Sequence, residues 1–209
     1  MTERSPGRFI SLEGGEGVGK STQARALAAA LRTRGIEVLE TREPGGSPGA
    51  EAIRGLLLHE REWTAEAEAL LFAAARADHV ARTIRPALEA GKWVVCDRFV
   101  DSSIAYQGGA GGLGFDAVRE LHRIGSHGLL PDRTLLLRLS GDEAGRRAGA
   151  RDVEGADLIG GRGATFHRSV AAAFEQLAAE EPGRFRVVDA FGSAEEVTAR
   201  LVASIEDLL

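Results

Sequence analysis

Cysteine occurs once among the 209 residues, at Cys96, so no disulfide can form within the chain and a reducing compartment is implied. Asparagine does not occur at all, which excludes the Asn-Lys-x-Asp guanine reader of GTP-binding switches in that form. Positive charge is not in excess: the net charge is −5 and the pI about 5.6. That balance argues against a nucleic-acid partner or an anionic membrane surface, but not against a nucleotide, which needs only a local basic site. No apolar run approaches the roughly 20 residues that cross a bilayer. The opening MTERSPGRF carries no apolar signal core. These absences give the expectation of a cytoplasmic protein with no membrane partner. The five histidines (His59, His79, His122, His127 and His167) have no metal-ligand spacing and read as surface or helix residues. What remains is ordinary for a globular chain, 44% hydrophobic and 27% charged, and the length predicts one domain over 1–209.

Lysine is nearly as scarce as cysteine, with only Lys20 and Lys92. One of the two stands where chance is a poor explanation. Gly14, four residues, then Gly19, Lys20 and Ser21 have the spacing of a phosphate-binding loop, G-x-x-x-x-G-K-[ST]. Glycine removes the Cβ that would keep a backbone from wrapping an anion. The N–H groups of the loop and of the next helical turn then point at phosphate oxygens. Lys20 is placed to reach the β- and γ-phosphates, and the Ser21 hydroxyl to ligate Mg²⁺. The context fits, with the apolar run Phe9–Leu12 before the loop and a helical pattern from Thr22 to Arg34 after it. The candidate ATP site is Gly14, Gly15, Glu16, Gly17, Val18, Gly19, Lys20, Ser21 and Thr22.

No internal repeat or low-complexity linker interrupts the chain. The spacing predicts strands near Phe9–Glu13, Ile36–Thr41, Trp93–Cys96, Thr134–Leu139 and Phe185–Val188. Helical periodicity covers Ala50–His59, a long alanine-rich segment from Thr64 to Ala90 bent near Pro86, then Phe115–Ile124, Thr165–Glu181 and Ser193–Leu208. Ser193 and Glu196 are spaced as a capping box. Such alternation implies an α/β fold, a parallel sheet with helices on both faces. Ligands of these sheets bind beyond the strands' C-terminal ends. Four polar segments follow strands and are expected at one rim: Gly14–Ser21, Arg42–Gly46, Asp97–Arg98 and Asp142–Arg168.

A phosphate loop alone fits an ATPase, a GTPase or a kinase. Five strings in this order are more specific: Glu13-Gly-Gly-Glu-Gly-Val-Gly-Lys-Ser-Thr22, Thr41-Arg-Glu-Pro-Gly-Gly46, Leu70-Leu-Phe-Ala-Ala-Ala-Arg76, Asp97-Arg-Phe99 and Asp101-Ser-Ser-Ile-Ala-Tyr-Gln-Gly108. Together they resemble thymidylate kinase, with weaker similarity at Pro131-Asp132 and Val188-Asp189-Ala190. The resemblance implies transfer of the γ-phosphoryl group of ATP to dTMP with Mg²⁺, on the way to dTTP. It also implies a three-layer P-loop fold of nucleoside-monophosphate-kinase type with a five-stranded parallel sheet, an arginine-bearing lid near 145–163, and a homodimer.

Residue roles follow by matching those strings. Arg42 and Arg98, each just past a strand, are placed to clamp the acceptor phosphate, for which the planar guanidinium fork is suited. Asp97 joins Ser21 as a candidate for Mg²⁺. Phe72 and Arg76 are four apart and share a helix face, so a ring can stack on thymine while the guanidinium reaches the base edge. Ser103 and Gln107 match positions that line the nucleoside pocket, and Tyr106 one that packs under the sugar. Glu16 matches an acid on the acceptor's 3′-hydroxyl. Gly17 leaves the loop without an arginine of its own. Charge for the transition state is therefore expected from the lid, where Arg146, Arg147, Arg151 and Arg162 are available, Arg147 toward ATP and Arg151 as a catalytic cation beside Lys20, Asp97 and Arg98. The lid departs from the family pattern at Asp157-Leu158-Ile159-Gly160, where an arginine is usual in place of Leu158. Two rival readings stay open, another P-loop deoxynucleoside or nucleoside monophosphate kinase and a degenerate nucleotide-binding paralogue.

Overall fold

The computed structural model describes residues 7–60, 63–139 and 160–209. Five strands pair in parallel in the order β2-β3-β1-β4-β5. They are β1 (Phe9–Glu13), β2 (Val38–Arg42), β3 (Trp93–Asp97), β4 (Arg133–Arg138) and β5 (Phe185–Asp189). Burial on both faces explains why β1, β3 and β4 read as continuous apolar runs. Alternate side chains enter different cores. Phe9, Val94, Cys96 and Leu136 join one cluster; Ile10, Leu12, Val95, Leu135 and Leu137 join the other. Helix α1 (Lys20–Thr33) covers the second cluster with Ala24, Leu27, Ala28 and Leu31. Beside it, α8 (Ala194–Ala203) contributes Val197 and Leu201. The opposite face carries α2 (Pro48–Gly55), α3 (Ala65–His79), α4 (Arg85–Glu89), α5 (Val100–Ser103), α6 (Phe115–Ser126) and α7 (Ala164–Glu180).

The five-stranded parallel sheet between two helical layers agrees with the expected α/β fold. Its details differ in places. The long segment after Thr64 is not one α-helix. It widens to π-helical turns at Val80–Ile84, just before Pro86, whose missing N–H and ring bulk disfavour regular turns there. A second widened stretch, Ile104–Ala110, continues α5 through the AYQG string. The last helix ends at Ala203, and a 3₁₀ turn follows at Glu206–Leu208. The capping box forms, with Ser193 and Glu196 bonded reciprocally.

Register sets the rim. Arg42 pairs with Asp97 across β2 and β3, and Leu12 pairs with Asp97 across β1 and β3. The loops after β1, β2 and β3 therefore open side by side. Below them a buried ionic knot ties distant segments together. Asp101 receives Arg184 through two bonds of 2.6 and 2.9 Å, and the Thr134 hydroxyl at 2.9 Å. Asp101 is fully buried and Arg184 nearly so. Removing one partner of such a pair strands a charge in the interior. Asp101→Ala is accordingly expected to lose about 3–5 kcal/mol in urea unfolding, whereas removing the exposed Arg123–Glu120 pair should leave the transition nearly unmoved.

Candidate active site

The phosphate loop is shaped by backbone constraints at its ends. Gly14 has φ 136°. A Cβ there would also sit 2.5 Å from the Leu137 carbonyl oxygen on β4. Gly19, at the start of α1, has φ 91°, a left-handed conformation that suits glycine. Val18 is buried in the core under α1, while Ser21 and Thr22 are exposed in the helix's first turn. Lys20 is buried and donates to the Gly15 carbonyl at 2.5 Å. Burial, aided by the charge of Arg98, pulls its ammonium down to about 8. The Ser21 hydroxyl donates to Asp97 Oδ2, and Asp97 Oδ1 is buried with no hydrogen-bond partner.

Arg98 stands at the centre of the rim. Its backbone is left-handed, with φ 67°. Its guanidinium donates to the Gly14 carbonyl (3.2 Å), Ser102 Oγ (3.1 Å), Glu16 Oε1 (2.5 Å) and Tyr106 Oη (3.2 Å). Tyr106 Oη in turn donates to Glu16 at 2.8 Å. Arg98, with Lys20 and Tyr106 helping against the effect of burial, holds the Glu16 carboxyl down to about 2. Glu16 thus turns from its loop toward the β3 side of the cleft. Sequence reasoning assigned no role to the group that fixes this turn. Glu13, the last residue of β1, accepts from the Phe99 amide at 2.7 Å and from Ser102 Oγ at 2.5 Å. Burial pushes its carboxyl up to about 8, and the charge of Asp101 adds to that.

The cleft beyond Arg98 is open, with a cavity of about 180 Å³, and its lining includes Arg42, Phe72, Arg76, Ser103, Tyr106 and Gln107. Arg42 is half-exposed and paired with Glu51 at 3.0 Å. Arg76 is nearly sealed from solvent. It donates to Glu43 at 2.7 Å, to Ser103 Oγ at 2.8 Å and to the Phe99 carbonyl at 3.3 Å. His79 supports the same acid from one turn on. Its Nδ1 lies 3.0 Å from Glu43 and its Nε2 2.7 Å from Thr41 Oγ1. His79 is a helix residue, but a buried one, and His122 on α6 is buried too. Gln107 donates to Glu68 at 2.8 Å. Cys96 packs in the core with Sγ 3.0 Å from the Arg98 carbonyl. Glu13, Glu43, Glu68 and His79 were all missed. Their partners lie 27 or more residues away in the chain, so no local spacing marks them.

Of the lid arginines, Arg146, Arg147 and Arg151 lie outside the described residues. Arg162 is described, and it is paired with Glu68 and stacked 4.7 Å over the Phe166 ring. Arg138, outside the site, pairs with Glu175. No group of three metal-binding acids, histidines or cysteines occurs among the described residues, and no described helix is long and apolar enough to cross a membrane.

Comparison with known proteins adds four findings. The family model for thymidylate kinase matches residues 12–201. A curated thymidylate kinase from Rhizorhabdus wittichii is 65% identical over 206 residues, covering 98% of this chain and 99% of the relative. One from Chromohalobacter salexigens is 49% identical, covering 98% of each. A crystal structure of thymidylate kinase from Ehrlichia chaffeensis superposes with a TM-score of 0.77 at 30% identity, over 96% of this chain and all of that one.

The raised Glu13 carboxyl has a consequence for pH. The folded state binds this proton up to about pH 8, whereas the unfolded chain releases it near 4.5. Stability therefore falls as pH rises between those values. Glu13→Gln, which cannot ionise, is expected to flatten this part of the slope in urea unfolding measured from pH 5 to pH 8.

Proposed function

The chain belongs to the thymidylate kinase family, and from that membership we propose roles for the residues of its cleft. The enzyme transfers the γ-phosphoryl group of ATP to dTMP, giving ADP and dTDP. One observation carries the residue assignment: the phosphate loop and the Asp97-Arg98 turn line the same cleft as Phe72 and Arg76. Donor and acceptor sites thus meet at Arg98.

Phosphoryl transfer asks the protein for alignment and charge neutralisation rather than covalent chemistry. Lys20 and the backbone N–H groups from Gly14 to Thr22 hold the donor phosphates. Phosphate contact restores the Lys20 charge that burial weakens. Arg98 and Arg42 hold the acceptor phosphate in line, and Glu16 accepts the 3′-hydroxyl. Tyr106 packs under the sugar, where it crowds a 2′-hydroxyl. Phe72 stacks on the base, Arg76 donates at its edge, and Ser103 and Gln107 complete that pocket. Arginine pairs in the cleft favour a monophosphate acceptor over a free nucleoside. Residues 145–163 serve as a lid on a single domain of residues 1–209. Arg147 reaches ATP there, and Arg151 supplies positive charge at the transferred group.

A divalent cation fits the rim. Ser21 Oγ and the Asp97 carboxylate are adjacent hard oxygen donors, and Asp97 Oδ1 is buried without a partner. So sparse a protein donor set suits Mg²⁺, which keeps several waters and takes other ligands from phosphates. When bound, it offsets phosphate charge. A second copy of the chain is the proposed partner. Support comes from exposed apolar side chains on two helices that pack together, Leu70 on α3 and Ile124 on α6. Light scattering should give about twice the chain mass of 22.1 kDa; the single mass would remove the dimer. The lone buried, unpaired cysteine supports a cytoplasmic location.

The activity is tested by coupling ADP release to a reporter. dTMP with MgATP should release ADP well above the acceptor-free rate, and no excess would overturn the assignment. Lys20→Ala should cut kcat by about a hundredfold or more, as loss of one preorganised donor to transition-state charge does, with the unfolding transition retained.

A further inference from the structure

The lining of the cleft holds an unused hydrogen-bonding group. Gln107 is almost wholly buried, lines the cleft beside Phe72, Arg76 and Ser103, and its Oε1 has no partner. The other end of its amide is fixed. Nε2 donates at 2.8 Å to Glu68, a buried acid on α3. Glu68 also receives both terminal nitrogens of Arg162, one at 3.3 Å. Arg162 is anchored in turn over Phe166, whose ring meets Tyr106 edge-on at 6.0 Å. An ionised carboxylate only accepts hydrogen bonds, so the amide end facing it must be the NH₂. Glu68, paired with Arg162, thereby decides that the end of Gln107 left over is an acceptor.

We propose that Glu68 is a positioning residue for base recognition, acting by locking the Gln107 amide so that Oε1 meets the N3–H of thymine. This rests on the dTMP kinase reading above. The pairing is complementary at both edges: thymine offers a donor at N3 and an acceptor at O4, against the Gln107 acceptor and the Arg76 donor. Cytosine reverses both, with an acceptor at N3 and a donor at its 4-amino group. A freely turning amide would suit either base. The locked one rejects cytosine, because two buried polar groups would face like partners.

A double-substitution cycle tests this. Glu68→Gln keeps the size of the side chain but can itself donate, which frees Gln107 to turn. The dTMP KM is expected to rise roughly tenfold, with kcat and the ATP KM nearly unchanged. The ratio of dTMP to dCMP affinity, read by calorimetry, should narrow. In a Gln107→Leu background, Glu68→Gln should add nothing to the dTMP KM. An equal rise in both backgrounds would mean that Glu68 only packs, and an unchanged KM would mean that it does not act on the base; either overturns the proposal. Arg162→Met, at the partly exposed end of the pair, keeps the test available if Glu68→Gln does not fold. It should raise the dTMP KM only when Gln107 is present. A wild-type enzyme inert toward dTMP would sink the functional reading and this inference with it, whereas an active wild type with additive variants sinks this inference alone.

Discussion

The site depends on one arginine held in a backbone conformation that arginine seldom adopts. Left-handed φ at a residue other than glycine costs on the order of 1–3 kcal/mol and persists only where the surroundings over-determine it. Around Arg98 they do. The Glu13 carboxyl accepts the next amide and bonds the Ser102 hydroxyl, while the Leu12 carbonyl takes the Arg98 amide at 3.0 Å. The side chain then reaches the phosphate loop through Gly14 and Glu16. β1 and β3 are neighbours in the sheet, so the strain is held by strand pairing rather than by the turn itself. The result is a cation shared between the phosphate loop and the open cleft beside it.

The sheet explains why so little sequence is needed to build this. Parallel strands buried on both faces leave only their C-terminal ends polar, and adjacent strands place those ends side by side. Glu13, Arg42 and Asp97 are each the last residue of a strand. Each is followed directly by a residue of the site or its support: Gly14, Glu43 and Arg98. A one-residue slip would turn these side chains to the opposite face and exchange the two cores as well. The division of β1, β3 and β4 side chains between the two cores therefore fixes the cleft as firmly as its polar residues do.

This division governs what was legible in the sequence. The strands, the helices, the phosphate loop and the capping box at Ser193 are local patterns, and they were readable. So was the family, because its strings are contiguous. The widened turns at Val80–Ile84 and Ile104–Ala110 were not, since apolar spacing over a few residues does not distinguish 3.6 from 4.4 residues per turn. The supporting acids were invisible for a different reason. Glu43 reads as one letter of a loop string, and only the fold brings it to Arg76 and His79, 33 and 36 residues away. Histidine without ligand spacing gave no sign that His79 would be buried against that acid. Arg138, the last residue of β4, likewise pairs with Glu175 on α7 at a separation of 37 residues.

Four described arginines around the cleft each face one carboxylate, and burial grades those pairs. Arg42–Glu51 is about half exposed on both sides. Such a pair is worth about 0–1 kcal/mol, so the phosphate proposed to meet Arg42 would displace Glu51 at little cost. Arg98–Glu16 is less exposed. On the proposed assignment its acid meets the acceptor sugar, so that phosphate and hydroxyl share the pair rather than break it. Arg76–Glu43 is sealed at 3% and 4% exposure. Separating those charges inside the protein is expensive, so Arg76 meets a ligand with its Glu43 contact intact. Arg162–Glu68 is split, with a buried acid and a partly exposed cation. On the proposed assignment the exchangeable charges sit where phosphates arrive and the fixed ones where the base is read. A chain that has almost no lysine to spare would then separate binding from recognition by how deeply each arginine's partner is buried.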